Sequence, residues 1–78
     1  MVFEKVREVI SSQLGIPEEK IVMTTSFTDD LGADSLDIFQ VISELEELFD
    51  LEFSNEDAEK MKFISDAVRY IEERIETY

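Results

Sequence analysis

The 78-residue sequence predicts an all-α fold: a small four-helix bundle, three main helices plus one short one, with a long loop between the first and second. Three observations predict it. Apolar residues recur at three- and four-residue spacing in three separate stretches, the period of a helix with one buried face. No stretch sustains the alternation of a half-buried strand. Capping and breaking residues stand at the ends of the periodic stretches. The length suits a single domain over residues 1–78.

The first helix is marked by Phe3, Val6, Ile10 and Leu14, with Val2 and Val9 beside them. Gly15 supplies a left-handed C-terminal cap and Pro17 discourages continuation. Residues 15–34 read as a loop whose Ile21, Val22, Phe27 and Leu31 tuck onto the core; so long a loop in so small a domain points to function. A second helix runs from about Asp34 to Asp50. Asp34 and Ser35 are both good N-caps, and Asp37 places negative charge where the helix dipole favours it. Its inner stripe is Ile38, Ile42, Leu45 and Phe49, with Val41 and Leu48 alongside. Ser54-Asn55-Glu56-Asp57 has the capping-box pattern and predicts a short helix near 55–61. Ile64, Val68, Ile71 and Ile75, flanked by Ala67 and Tyr70, mark the last.

Seven Lys and Arg stand against twenty Asp and Glu, a net charge of −13. Between Lys20 and Lys60 there is no basic residue, while twelve acids lie there. That surface repels phosphate backbones, which argues against nucleic acid, and it steers basic protein surfaces towards itself. An acidic coat that only aids solubility is the plainer alternative. The opening residues lack the basic and apolar regions of a signal peptide, and the apolar runs are far below the roughly 18 residues of a membrane span, so the chain reads as cytoplasmic with no membrane insertion. Nothing in the sequence suggests an obligate oligomer; the expectation is a monomer.

There is no histidine and no cysteine. The chain therefore lacks the usual proton shuttle near neutral pH and any thiol nucleophile, which argues against self-contained catalysis. If thioester chemistry takes place on this chain, its sulfur must be imported. An EF-hand with Gly32 at its sixth position would need oxygen ligands at Phe27 and Leu31, which supply none from their side chains; Asp29, Asp30, Asp34 and Asp37 could hold a divalent cation only loosely, by charge, and read first as solvated and capping carboxylates, so no metal site is assigned.

The informative segment runs from Asp30 to Asp37. Ser35 stands at a predicted helix start, after a long loop and a glycine. Helix N-termini present unpaired N–H groups and partial positive charge, which suits a phosphate bonded to that serine. A helix cap is the other role open to it. On the outer face of the same helix, 100° per residue groups Leu36, Gln40, Ser43 and Glu47, with Asp37 and Glu44 on one edge and Glu46 on the other. A leucine ringed by acids is an apolar anchor with a charged rim, a pattern of protein interfaces.

These residues closely resemble the acyl carrier protein family. Leu31-Gly32-Ala33-Asp34-Ser35-Leu36-Asp37 is similar to the family's phosphopantetheine attachment signature, and the similarity continues through residues 44–50, 55–60 and 65–71. The resemblance implies a carrier, not an enzyme. A phosphopantetheinyl transferase (holo-acyl-carrier-protein synthase) would move 4'-phosphopantetheine from coenzyme A onto Ser35, and the arm's thiol would carry acyl chains between fatty acid synthesis enzymes. The helix after the serine would meet basic docking patches on those enzymes through Asp34, Leu36, Asp37, Glu46 and Glu47. The family's acyl-sheltering positions match Val6, Phe27, Leu31, Phe39, Ile42, Leu45, Phe53, Ala58, Met61, Ala67 and Tyr70, residues that also serve as ordinary core. Gln40 and Ser43 depart from the family, where an acid and a larger apolar residue are common; both bear on the choice of partner. A specialised carrier for polyketide, lipid A or amino-acyl transfer has the same pattern. An unmodified acidic interaction module is the alternative from another class.

Overall fold

A computed structural model describes residues 2–75. Its helices are α1 (Val2–Leu14), α2 (Ser35–Phe49), α3 (Asn55–Glu59) and α4 (Ile64–Ile75). Among the described residues no strand forms, and a single isolated bridge pairs Ser26 with Phe63. α1 packs against both α2 and α4, and α3 closes one side against α2.

The periodic residues build the core. Val6 and Ile10 of α1, Val41, Ile42 and Leu45 of α2, and Ile64, Ala67, Val68 and Ile71 of α4 are all buried. Each large aliphatic residue buried this way contributes about 1.5–3 kcal/mol of transfer free energy. α1 ends as its sequence dictates: Gly15 adopts φ +67°, and the amides of Gly15 and Ile16 both reach the Ser11 carbonyl, at 2.9 and 3.3 Å. A side chain there would be strained in the left-handed region.

The long connection is more ordered than a bare loop. Glu18–Lys20 forms a 3₁₀ turn, and Ile21 and Phe27 enter the core. Its second half is stitched to the start of α4: the Phe27 amide donates to Lys62 O (2.9 Å), Ile64 N to Thr25 O (2.9 Å) and Ser65 N to Met23 O (3.0 Å).

Several sequence expectations need correction. Val22 does not tuck in; it is 50% exposed. Ile21 before it is extended and buried, and successive side chains of extended backbone point to opposite sides. Leu48 is 51% exposed, in an open groove beside Lys5, Glu8 and Val9 where α1 no longer covers the flank of α2. Val41 is fully in the core, while Ile38 and Phe49 are only half-buried. α3 stops at Glu59 rather than 61, because the Lys60 and Met61 amides tighten to three-residue bonds with Asp57 O and Ala58 O.

The connector before α3 is held from two sides. The Phe53 ring stacks on Tyr70 with centroids 4.3 Å apart, and the Arg74 guanidinium lies 3.6 Å from the Tyr70 centroid. Hydrogen bonds from the Tyr70 hydroxyl and from Ser54 hold the Asp57 carboxyl below its ordinary 3.8; burial, then Asp57, pushes Tyr70 above its ordinary 10.0.

Candidate functional site

The site is assembled by a compact turn that delivers α2. Ser26 and Asp30 brace each other's ends: the Ser26 amide donates to Asp30 Oδ2 (2.7 Å), and the Asp29 amide donates to Ser26 Oγ (3.1 Å). Gly32 takes φ +66°, which lets the chain reverse, and buried Ala33 donates its N–H to Phe27 O at 2.9 Å. The next residue then starts the helix.

Asp34, not Ser35, is the N-cap. Its Oδ1 accepts the Asp37 N–H at 2.9 Å, and Asp37 Oδ2 accepts the Asp34 N–H at 3.3 Å, so the two aspartates form a reciprocal capping box. Of the two cap candidates in the sequence, the backbone selects the one that frees the other. Ser35 occupies the first helical position with its side chain exposed, and the amides of Ser35 and Leu36 have no acceptor within the helix. An exposed primary hydroxyl at the positive end of a 15-residue helix is suited to carrying a phosphodiester.

Ser35 also lines a cleft of about 470 Å³. Ser35, Ile38 and Phe39 form the α2 wall, Ala58, Glu59, Met61, Lys62 and Phe63 the opposite wall, and Ser26, Thr28 and Asp29 of the preceding loop complete the lining. The residues fit a tethered arm: an accessible hydroxyl on the lining of a cleft that also presents the apolar side chains of Ile38, Phe39, Ala58, Met61 and Phe63. The polypeptide has no thiol of its own, so the sulfur for a thioester comes from the arm.

Of the sequence-matched acyl positions, Phe39, Ala58 and Met61 line this cleft. Val6, Phe27, Ile42, Leu45 and Ala67 lie in the packed core, and Leu31, Phe53 and Tyr70 sit half-buried at its edge. Ile38 and Phe63 are cleft residues that the sequence reading did not place there. Ile38 fell on the helical core stripe, and Phe63, 45% exposed, precedes the last helix outside any periodic pattern. On the outer face, Leu36 is 66% exposed and Asp34 and Glu47 are exposed, while Asp37 and Glu46 are half-buried. Glu46 is further engaged, its Oε2 accepting the Phe53 N–H at 2.7 Å. Among the described residues no group of three or more acidic side chains is placed to hold a metal ion.

Residues 4–71 match the family model described as a phosphopantetheine attachment site. The chain is 54% identical to the acyl carrier protein of Clostridium acetobutylicum over 97% of its own length and 99% of that protein's. The chain belongs to the acyl carrier protein family. Solved structures agree. A Mycobacterium tuberculosis chain assigned to the acyl carrier proteins superimposes with a TM-score of 0.83 at 35% identity, covering 88% of this chain and 92% of that one. The acyl carrier protein of Enterococcus faecalis gives 0.75 at 38% identity, covering 90% and 89%. As an acyl carrier protein, the chain is a carrier rather than an enzyme. It holds acyl groups on 4'-phosphopantetheine and works with the enzymes of fatty acid synthesis.

Proposed function

We propose that Ser35 is the residue that bears the phosphopantetheine, and that the acyl chain it carries is presented from, and sheltered in, the cleft beginning at that residue. The observation that carries this reading is the transfer of capping to Asp34, which leaves the Ser35 hydroxyl exposed at the positive end of α2, in the lining of a cleft shared with Ile38, Phe39, Ala58, Met61 and Phe63. Asp34 and Asp37 direct their carboxylates into each other's amides across the cap. That engagement limits their repulsion of a neighbouring phosphodiester. The deeper acyl positions, Val6, Phe27, Leu31, Ile42, Leu45, Phe53, Ala67 and Tyr70, would admit a longer chain only as core side chains repack around it.

The docking face is Leu36 with Asp34, Asp37 and Glu47 around it and Glu46 at its inner edge. It fits a partner surface with an apolar socket ringed by Lys and Arg, the surface expected of a phosphopantetheinyl transferase and of fatty acid synthesis enzymes. Charge of this kind raises association rates at low salt. The chain acts as a monomer, which its strong self-repulsion favours, in the cytoplasm where those enzymes work.

Incubating the apo chain with coenzyme A and a phosphopantetheinyl transferase tests the assignment by intact mass. One phosphopantetheine is added to the wild type and none to Ser35→Ala. Addition to the Ser35→Ala chain, or no addition to a wild type that folds alongside a modifiable control carrier, sinks it.

A further inference from the structure

Glu46 is built into the end of α2 three times over. Its carbonyl accepts the amides of Asp50 and, at 3.0 Å, of Leu51, closing the helix through left-handed Asp50. Its half-buried side chain then reaches beyond that turn, and Oε2 accepts the Phe53 N–H at 2.7 Å, seven residues on. Glu44 and Glu47, by contrast, are exposed. Phe53 is the residue whose ring stacks on Tyr70 of α4. The next residue, Ser54, caps α3 by accepting the Asp57 N–H at 3.1 Å. α3 in turn carries Ala58 and leads to Met61, two wall residues of the cleft at Ser35. A continuous chain of contacts therefore runs from the Glu46 carboxylate to the far wall of that cleft.

We propose that Glu46 is a positioning residue: its carboxylate latches the α2–α3 connector through the Phe53 amide and so sets the opening of the cleft beside Ser35. The functional part of this statement rests on Ser35 bearing the arm; the latch itself does not. A charge-assisted hydrogen bond to a half-buried carboxylate is among the stronger local contacts available to so small a domain. α3 is only five residues long, too short to hold itself in place, so its position depends on what anchors its ends. The contact of Glu46 with a docking enzyme is then secondary, and the rim charge around Leu36 is supplied by Asp34, Asp37 and Glu47.

The test compares E46Q, E46A and Glu47→Gln in the unmodified full chain by amide hydrogen exchange. E46Q loses the charge but keeps a carbonyl acceptor; E46A loses both. Exchange at Phe53, Ala58 and Met61 is expected to rise about tenfold or more in E46A, to stay within about threefold of wild type in E46Q, and to be unmoved in the Glu47 variant. Val6 and Ile10, in α1, should keep their rates throughout. Equal acceleration in E46Q and E46A, no acceleration in E46A, or acceleration spread into α1 overturns the latch. Transferase kinetics at low salt provide the second readout. KM should rise for the Glu47 variant and rise by less for E46Q, whose carboxylate stands at the inner edge of the docking face and is engaged by the Phe53 amide; an equal rise for E46Q makes Glu46 a docking charge and overturns the proposal. Failure of the Ser35 assignment would leave the exchange pattern intact, so the two readings fail separately.

Discussion

Aspartates at the two ends of α2 meet the same helix with opposite consequences. Asp34 and Asp37 cap its N-terminus, where the dipole favours negative charge and where the first amides need acceptors. Asp50 ends it in the left-handed region at φ 55°, placing a like-signed charge against the negative pole and a side chain where glycine is usual. Asp50→Gly removes both penalties, at the cost of a more flexible unfolded chain. The balance is a gain of about 1 kcal/mol, or roughly 4–8 °C in Tm for a domain of this size. Thermal denaturation followed by circular dichroism checks it, and a lower Tm would mean that Asp50 has a partner role at the turn. Residue chemistry was readable in the sequence up to a point. Both Asp34 and Ser35 had cap chemistry, and only the backbone torsions decided between them. Glu46 read as a surface acid because a bond to an amide seven residues away, past the helix end, leaves no periodic trace.

At the scale of elements, the helices were legible because each carried its own local signals: the 3.6-residue stripe, Gly15, the cap chemistry of Asp34 and Ser35, and Ser54. The course of the connecting loop was not, because it depends on pairing with residues about 35 positions away, such as Phe27 with Lys62, that no local pattern encodes. The α3–α4 junction shares this non-local character, and its Tyr70–Asp57 contact makes a prediction. Asp57 has its folded pKa depressed, so its contribution is complete above the unfolded value near 3.8 and is lost as pH falls through the folded one. Tyr70 has its folded pKa raised, so its contribution is complete below 10.0 and is lost as pH climbs past the folded value. Tyr70→Phe should therefore lower Tm near neutrality, with the gap to wild type narrowing in acid below about pH 4 and again in alkali above about pH 10. A carboxyl titration by NMR should show the Asp57 midpoint moving up towards the ordinary range in that variant. An unmoved midpoint would assign the depression to Ser54 instead.

The whole molecule is a compact body of about 33 × 25 × 20 Å carrying a net charge of −13. Among the described residues, the ion pairs Lys5–Glu8 and Arg7–Glu18 lie towards α1, away from the acid-rich stretch between Lys20 and Lys60. The same field that draws in basic enzymes thus works against the fold, since compacting like charges costs free energy that an expanded chain avoids. The Debye length decides how far this repulsion reaches. It is about 30 Å at 0.01 M salt, as long as the molecule, and about 8 Å at 0.15 M, so at low salt every acid feels every other and at higher salt only its neighbours. A chain of this size has a thin core, and about 1 kcal/mol is a large share of its stability. Raising sodium chloride from about 0.01 to 0.15 M should therefore lift Tm by several degrees, roughly 4–8 °C for each kcal/mol of relieved repulsion, while slowing association with a basic partner. Melting curves and stopped-flow association rates on the same salt series measure the two effects together. A Tm that stays flat while association slows would show that the acidic surface steers partners without straining the folded chain.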